Sequence, residues 1–224
     1  MRLPEILVPS TEARDVEADD VVRRRRVVVT ATLVLGTALL AATLAAAEGS
    51  GLFYAFGLLV AATWMVGGVL SGPVPLGRRR GVPEAGRELL APLLLGVALA
   101  LAFAVAAVVA QRIPLLAGPL DRVLEKADAG PRALVLGVAL VNAVAEEVFF
   151  RGALHSAFGR HRPAVWATAL YVLVTVATLN LTLVAAAVVM GAVFTAEREA
   201  TRGVLAPIVT HVTWSTLVLF LLPR

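Results

Sequence analysis

The stretch 133–153, ALVLGVALVNAVAEEVFFRGA, is apolar except for Asn142, the adjacent Glu146 and Glu147, and Arg151. A helix crossing a hydrocarbon core of roughly 30 Å needs about 20 such residues. Six further stretches have the same character: 27–47, 51–71, 89–110, 163–179, 181–196 and 203–222. Ala, Leu, Val and Gly dominate all of them, and the two-residue alternation of a membrane β-barrel is absent. The expected fold is an all-α polytopic membrane bundle of about seven transmembrane helices, within a range of six to eight. The stretches 163–179 and 181–196 are short and share a turn near Leu179-Asn180, so one re-entrant hairpin is the alternative there.

Composition agrees with this reading. Of 224 residues, 59% are hydrophobic and 16% charged, whereas soluble domains average about 45–50% and about 25%. Mean hydropathy is +0.85. The absence of cysteine excludes disulfide frameworks, thiolate metal sites and cysteine nucleophiles. Aromatics are only 6%, which does not support a base-stacking surface, so no nucleic-acid partner is expected.

The net charge of +4 comes from arginines grouped between the apolar stretches. One set of segments, the first 26 residues with the 72–88, 151–162 and 197–202 loops, holds fifteen of the twenty basic residues. The positive-inside rule puts that set in the cytoplasm, with the N-terminus inside and, for seven spans, the C-terminus outside. A multi-pass protein of the plasma (inner) membrane is expected, with membrane lipid as its first partner. Residues 1–26 read as a cytoplasmic polar tail ending in Arg23 to Arg26, not as a cleavable signal peptide. Residues 27–126 hold the N-terminal transmembrane helices and an external loop. The mixed charges of 111–132 suit a short amphipathic helix in that loop.

Ionisable residues inside a span are costly and usually face protein or water, where they carry function. By this map fourteen of sixteen acidic residues lie in tails or loops, and only Glu146 and Glu147 lie within a span. Glu147 and Arg151 are one helical turn apart in the favourable order, and a bidentate pair would neutralise both. Glu146, about 100° around the helix, is left to accept a proton, as a general base must. The bland alternative is an ion pair that only staples helices.

His211 is the second anomaly, in the stretch 203–222. Glu146 and His211 count to the same depth, roughly 10–12 Å below the arginine-rich edge, so they are expected to share one site. Ser215 is one turn further on. His155 is expected at the interface and His161 in a solvated turn. Asn142 could orient Glu146, while Thr175, Thr178 and Asn180 are polar residues at the end of the fifth span. Trp64, Trp166 and Trp214 read as packing or interface residues, and Gly67-Gly68 as a close helix contact. No cofactor is expected. A divalent metal such as zinc has thin support, because one buried histidine with carboxylates is a poor zinc ligand set.

Glu-Glu-x-x-x-Arg at 146–151 followed by Gly152, with Gly203-Val204-Leu205-Ala206-Pro207-Ile208-Val209-Thr210-His211 downstream, resembles two motifs of the CPBP family. These are the CAAX proteases and bacteriocin-processing (Abi) enzymes. The resemblance covers about 130–222 and marks 127–224 as a CPBP-like catalytic core. It implies intramembrane peptide hydrolysis of a peptide or membrane-protein substrate, with water activated by Glu146. It also implies a structural pair of Glu147 and Arg151, and polarisation of the scissile carbonyl by His211. The family's middle-motif histidine falls at Thr178, with Thr175 and Asn180 as neighbouring substitutes, and its final Asn falls at Ser215. The alternatives are an inactive family member that binds or scaffolds membrane peptides, and a proton-coupled transporter. A transporter should carry internal repeats, and none is evident.

Overall fold

The computed structural model describes residues 7–8, 19–77 and 87–222. Eight helices make up almost all of it. They are α1 (Asp19–Ala45), α2 (Gly51–Leu70), α3 (Arg87–Ala110), α4 (Pro114–Asp128), α5 (Arg132–Ala157), α6 (Pro163–Val176), α7 (Leu181–Thr201) and α8 (Leu205–Leu221). Among the described residues α1, α2, α3, α5 and α7 are long and apolar enough to cross a membrane, and α6 and α8 are shorter apolar helices. The protein is an all-α membrane helix bundle.

The long helices alternate in direction, and α4 lies across one end, where both its Pro119 and its Lys126 make contacts. The start of α1 meets the end of α5, where Arg26 Nε donates to Ala157 O at 3.3 Å. At the opposite end Lys126 of α4 donates to Ala46 O at 3.1 Å, and Asn180 Nδ2 donates to Pro119 O at 2.8 Å. The 111–132 segment is indeed largely helical, as α4.

Helix ends follow local chemistry. Ser50 caps α2 by accepting from Phe53 N at 3.2 Å, and Asn180 caps α7 by accepting from Leu183 N at 3.1 Å. Pro163 opens α6, where its missing N–H costs nothing. Leu179 takes a left-handed φ of 53° to make the tight α6–α7 turn. α7 does not stop near 196 but continues to Thr201, so it is longer than the sequence suggests. This extension also moves Glu197 and Glu199 from the expected loop into a helix. α1 likewise begins at Asp19, eating into the expected polar tail, of which 1–6 and 9–18 lie outside the described residues.

Two features position the interior. The segment after α2 forms a two-residue parallel pairing, Leu7–Val8 with Val74–Pro75. It then supplies carbonyls to the start of α8: Val204 N donates to Pro75 O at 2.9 Å and Leu205 N to Leu76 O at 3.1 Å. Helix-start N–H groups, otherwise orphaned, are satisfied there. The approach needs glycine, because a Cβ on Gly203 would collide with the Gly77 backbone. The second feature is the core of α2 and α5, where buried Trp64 stacks on Phe149 at 4.8 Å and meets Phe150 at 5.1 Å. Trp166, by contrast, is 52% exposed on the outside.

Gly67 and Gly68 allow the expected close contacts. A Cβ on Gly67 would strike Thr32 of α1, and one on Gly68 would sit 2.8 Å from Val148 Cγ1 of α5. Gly67→Leu should therefore cost about 1–3 kcal/mol through overpacking. Gly137→Ala, which meets nothing within 4 Å, should be neutral or slightly stabilising. Thermal unfolding of the two purified variants in detergent checks this.

Candidate active site

α5 changes character where its charges begin. Arg132–Glu146 is a regular α-helix, Glu147–Leu154 is a π-helical segment, and His155–Ala157 completes the helix. A π segment widens the turn and is frequent at functional sites. Here its residues are almost wholly buried, and they include Glu147 and Arg151.

Glu147, 0% exposed, is the hub. Its Oε1 accepts from Arg151 Nη1 at 3.2 Å and pairs with His211 Nδ1 at 2.9 Å. With a carboxylate as acceptor, Nδ1–H is the donor in that bond. The Glu147–Arg151 pairing matches the expectation, but it is one hydrogen bond and not a bidentate fork. The second guanidinium nitrogen, Nη2, turns to Gly191 O of α7 at 3.4 Å. Arg151 is 1% exposed. Its guanidinium carbon lies 4.5 Å from the Tyr171 ring centre and 5.2 Å from that of Phe194, a cation–π sandwich that offsets desolvation. Arg198 Nε donates to Arg151 O at 2.8 Å, tying α7 to the same turn.

Glu146 lies beside this cluster and is only half-buried. Its Oε2 accepts from Tyr171 OH of α6 at 3.3 Å. Asn142 does not orient it: the amide nitrogen donates instead to Gly57 O at 3.0 Å and Val138 O at 2.9 Å, serving the α2–α5 contact. His211, expected to share a site with Glu146, makes its bond to Glu147. Its ring packs 4.7 Å from Phe194 and 5.8 Å from Trp214.

Three of the named substitutes are placed elsewhere. Thr178 Oγ1 accepts from Asn180 N at 3.3 Å, within the α6–α7 turn. Asn180 is spent on capping α7 and on Pro119. Both stand at the end of the bundle away from the arginine-rich loops, because α6 ends at Val176 and the chain turns there. Ser215 lines a mostly apolar cavity of about 200 Å³ between α4, α5 and α8, together with Trp214, Leu124, Ala139 and Val218. Thr175 bonds back to Tyr171 O at 3.0 Å, the cheap choice for a helical threonine.

Sequence reading did not single out Tyr171, Glu197 or Thr210. Thr210 Oγ1 of α8 donates to Glu197 Oε1 of α7 at 2.7 Å. His155 is buried and pairs with Glu199 of α7. His161 is exposed, as expected. The signal was present in Ala196-Glu197-Arg198-Glu199, but charges that dense read as a loop until partners are known. Among the described residues no three His, Cys, Asp or Glu side chains converge to hold a metal ion.

A polytopic helical membrane protein with a carboxylate–arginine–histidine cluster buried inside it is the class that fold and site define. Residues 128–217 match the family model described as type II CAAX prenyl endopeptidase Rce1-like. The CAAX-protease resemblance read from the two motifs thus holds for the segment that carries the cluster. No curated protein and no solved structure matches the chain.

The geometry separates the two glutamates. Arg151→Ala or Glu147→Gln leaves a buried charge without its partner, a loss of about 3–5 kcal/mol. Either variant should show a clear fall in unfolding temperature in detergent. Glu146→Gln, at a half-buried carboxylate whose oxygen can be replaced by an amide, should unfold within a few degrees of wild type.

Proposed function

We propose that this protein is an intramembrane endopeptidase of the CAAX-protease type, hydrolysing a peptide bond with water activated by Glu146. The observation that carries this is the Glu147–His211 bond at 2.9 Å beside a less buried Glu146. Glu147 and Arg151 are the structural pair, and Glu147 holds the His211 ring by Nδ1. Tyr171 holds Glu146 at Oε2, leaving Oε1 for water.

In the proposed reaction Glu146 takes a proton from water, and the hydroxide adds to the scissile carbonyl carbon. His211, protonated at both nitrogens with Glu147 as counter-ion, donates from Nε2 to the developing oxyanion. When the C–N bond breaks, Glu146 returns its proton to the leaving amine. The substrate is a peptide segment within or beside the bilayer. With the arginine-rich ends facing the cytoplasm of a plasma membrane, Glu146 lies about 15 Å below that surface by helix rise. The active cleft is then reached from the cytoplasmic side.

A second reading, a non-catalytic member that binds membrane peptides, is favoured by one observation. Thr178 is turned into the α6–α7 loop, so the residue at the middle-motif histidine's position does not stand with Glu146 to hold the water. Cleavage of a membrane-peptide library by purified protein in lipid separates the two. The endopeptidase reading expects cleavage by wild type, resistance to chelator, and at least about a hundredfold loss in Glu146→Gln, the scale of a lost general base. Well-folded wild type that retains peptides without cutting them would favour the binding reading.

A further inference from the structure

We infer that Glu197 is a positioning residue for His211, acting through Thr210. Thr210 precedes His211 on α8 and is 0% exposed. Its hydroxyl lies 2.7 Å from Glu197 Oε1 on α7 and 3.1 Å from Pro92 O on α3. One side chain therefore touches two of the helices packed against α8, one residue away from the imidazole. Side chains at successive helical positions are about 100° apart, so fixing Thr210 toward α7 and α3 fixes the rotation of α8 about its axis. That rotation presents His211 Nδ1 to Glu147 on α5 at 2.9 Å.

Packing alone supplies this restraint weakly. α3 and α8 meet through small groups: a Cβ on Gly96 would lie 2.7 Å from Thr213 Cβ and 2.8 Å from Thr210 O. A close contact of this kind sets the distance between helices and tolerates a rotation better than a directed hydrogen bond does. The Thr210–Glu197 bond, half-buried and 2.7 Å long, is directional. Glu197 stands in the charged last turns of α7, beside Arg198 and Glu199, and Thr210 is the partner that draws its side chain toward α8.

The inference rests on His211 belonging to the proposed site, but its test needs no turnover. The chain has three histidines, so ring ¹⁵N-labelled protein in detergent gives few signals, assigned with His155→Gln and His161→Gln. Wild type should show a protected Nδ1–H for His211. Thr210→Val and Glu197→Leu should lose that protected proton while the His155 signal stays in place. Thr210→Ser and Glu197→Gln, which keep a hydroxyl donor and an oxygen acceptor, should retain it. Retention in all four variants, loss in all four, or simultaneous loss of the His155 signal in Thr210→Val would overturn the assignment. In protein that cleaves peptide, Glu197→Leu should lower kcat about 10- to 100-fold with little change in KM, as a displaced catalytic group does. Wild type with the expected histidine signals and no peptidase activity would refute the endopeptidase reading and leave the positioning role standing.

Discussion

A charged guanidinium and a carboxylate that both lie out of water in the middle of an apolar bundle need every available partner. Isolated in a low-dielectric interior, each costs several kcal/mol, and their attraction offsets this only when further hydrogen bonds and favourable contacts are present. Arg151 has Glu147 on its own helix, Gly191 O on α7, and the faces of Tyr171 and Phe194. Glu147 has Arg151 and His211. Four helices thus converge on one ion pair, and each must stand at one rotation for the contacts to exist. The bundle's interior is arranged around this requirement.

Several details of the fold serve it. The π segment of α5 begins at Glu147, so the helix is widened where the ion pair has to be packed. α8 is pinned at its first residues by the Pro75 and Leu76 carbonyls, which sets how far His211 reaches into the bundle. α7 approaches through Gly191, whose small size lets its carbonyl reach Arg151 and whose missing Cβ makes room for Thr168 and Tyr171. The N-terminal helices are not a separate module, since α2 packs on α5 through Trp64 and α3 packs along α8.

Much of the site was legible because a charge in a hydrocarbon-length apolar run has few explanations. Glu146, Glu147, Arg151 and His211 could be picked out on that ground alone, and the i,i+4 spacing of Glu147 and Arg151 implied their contact. What remained hidden depended on partners distant in sequence. Glu197 and Glu199 looked like loop residues because their charges depress local hydropathy. They stay in α7 because Thr210 and His155 bond them. Tyr171 looked like one more apolar residue until α6 set its hydroxyl against Glu146. Thr178 and Asn180 looked like site residues by motif position, yet the α6–α7 turn and the α7 cap claim both.

Hydropathy and charge by themselves determined that the chain is a helical membrane bundle, and which acidic and basic residues are too costly to be there without a task. These follow from transfer free energies, which are properties of residues and short windows. Only the tertiary structure decided which glutamate His211 faces, which one remains half-open beside it, and that α7 contributes a third carboxylate. Those outcomes depend on the rotation and depth of each helix relative to its neighbours, and rotation is set by contacts between residues far apart in the chain.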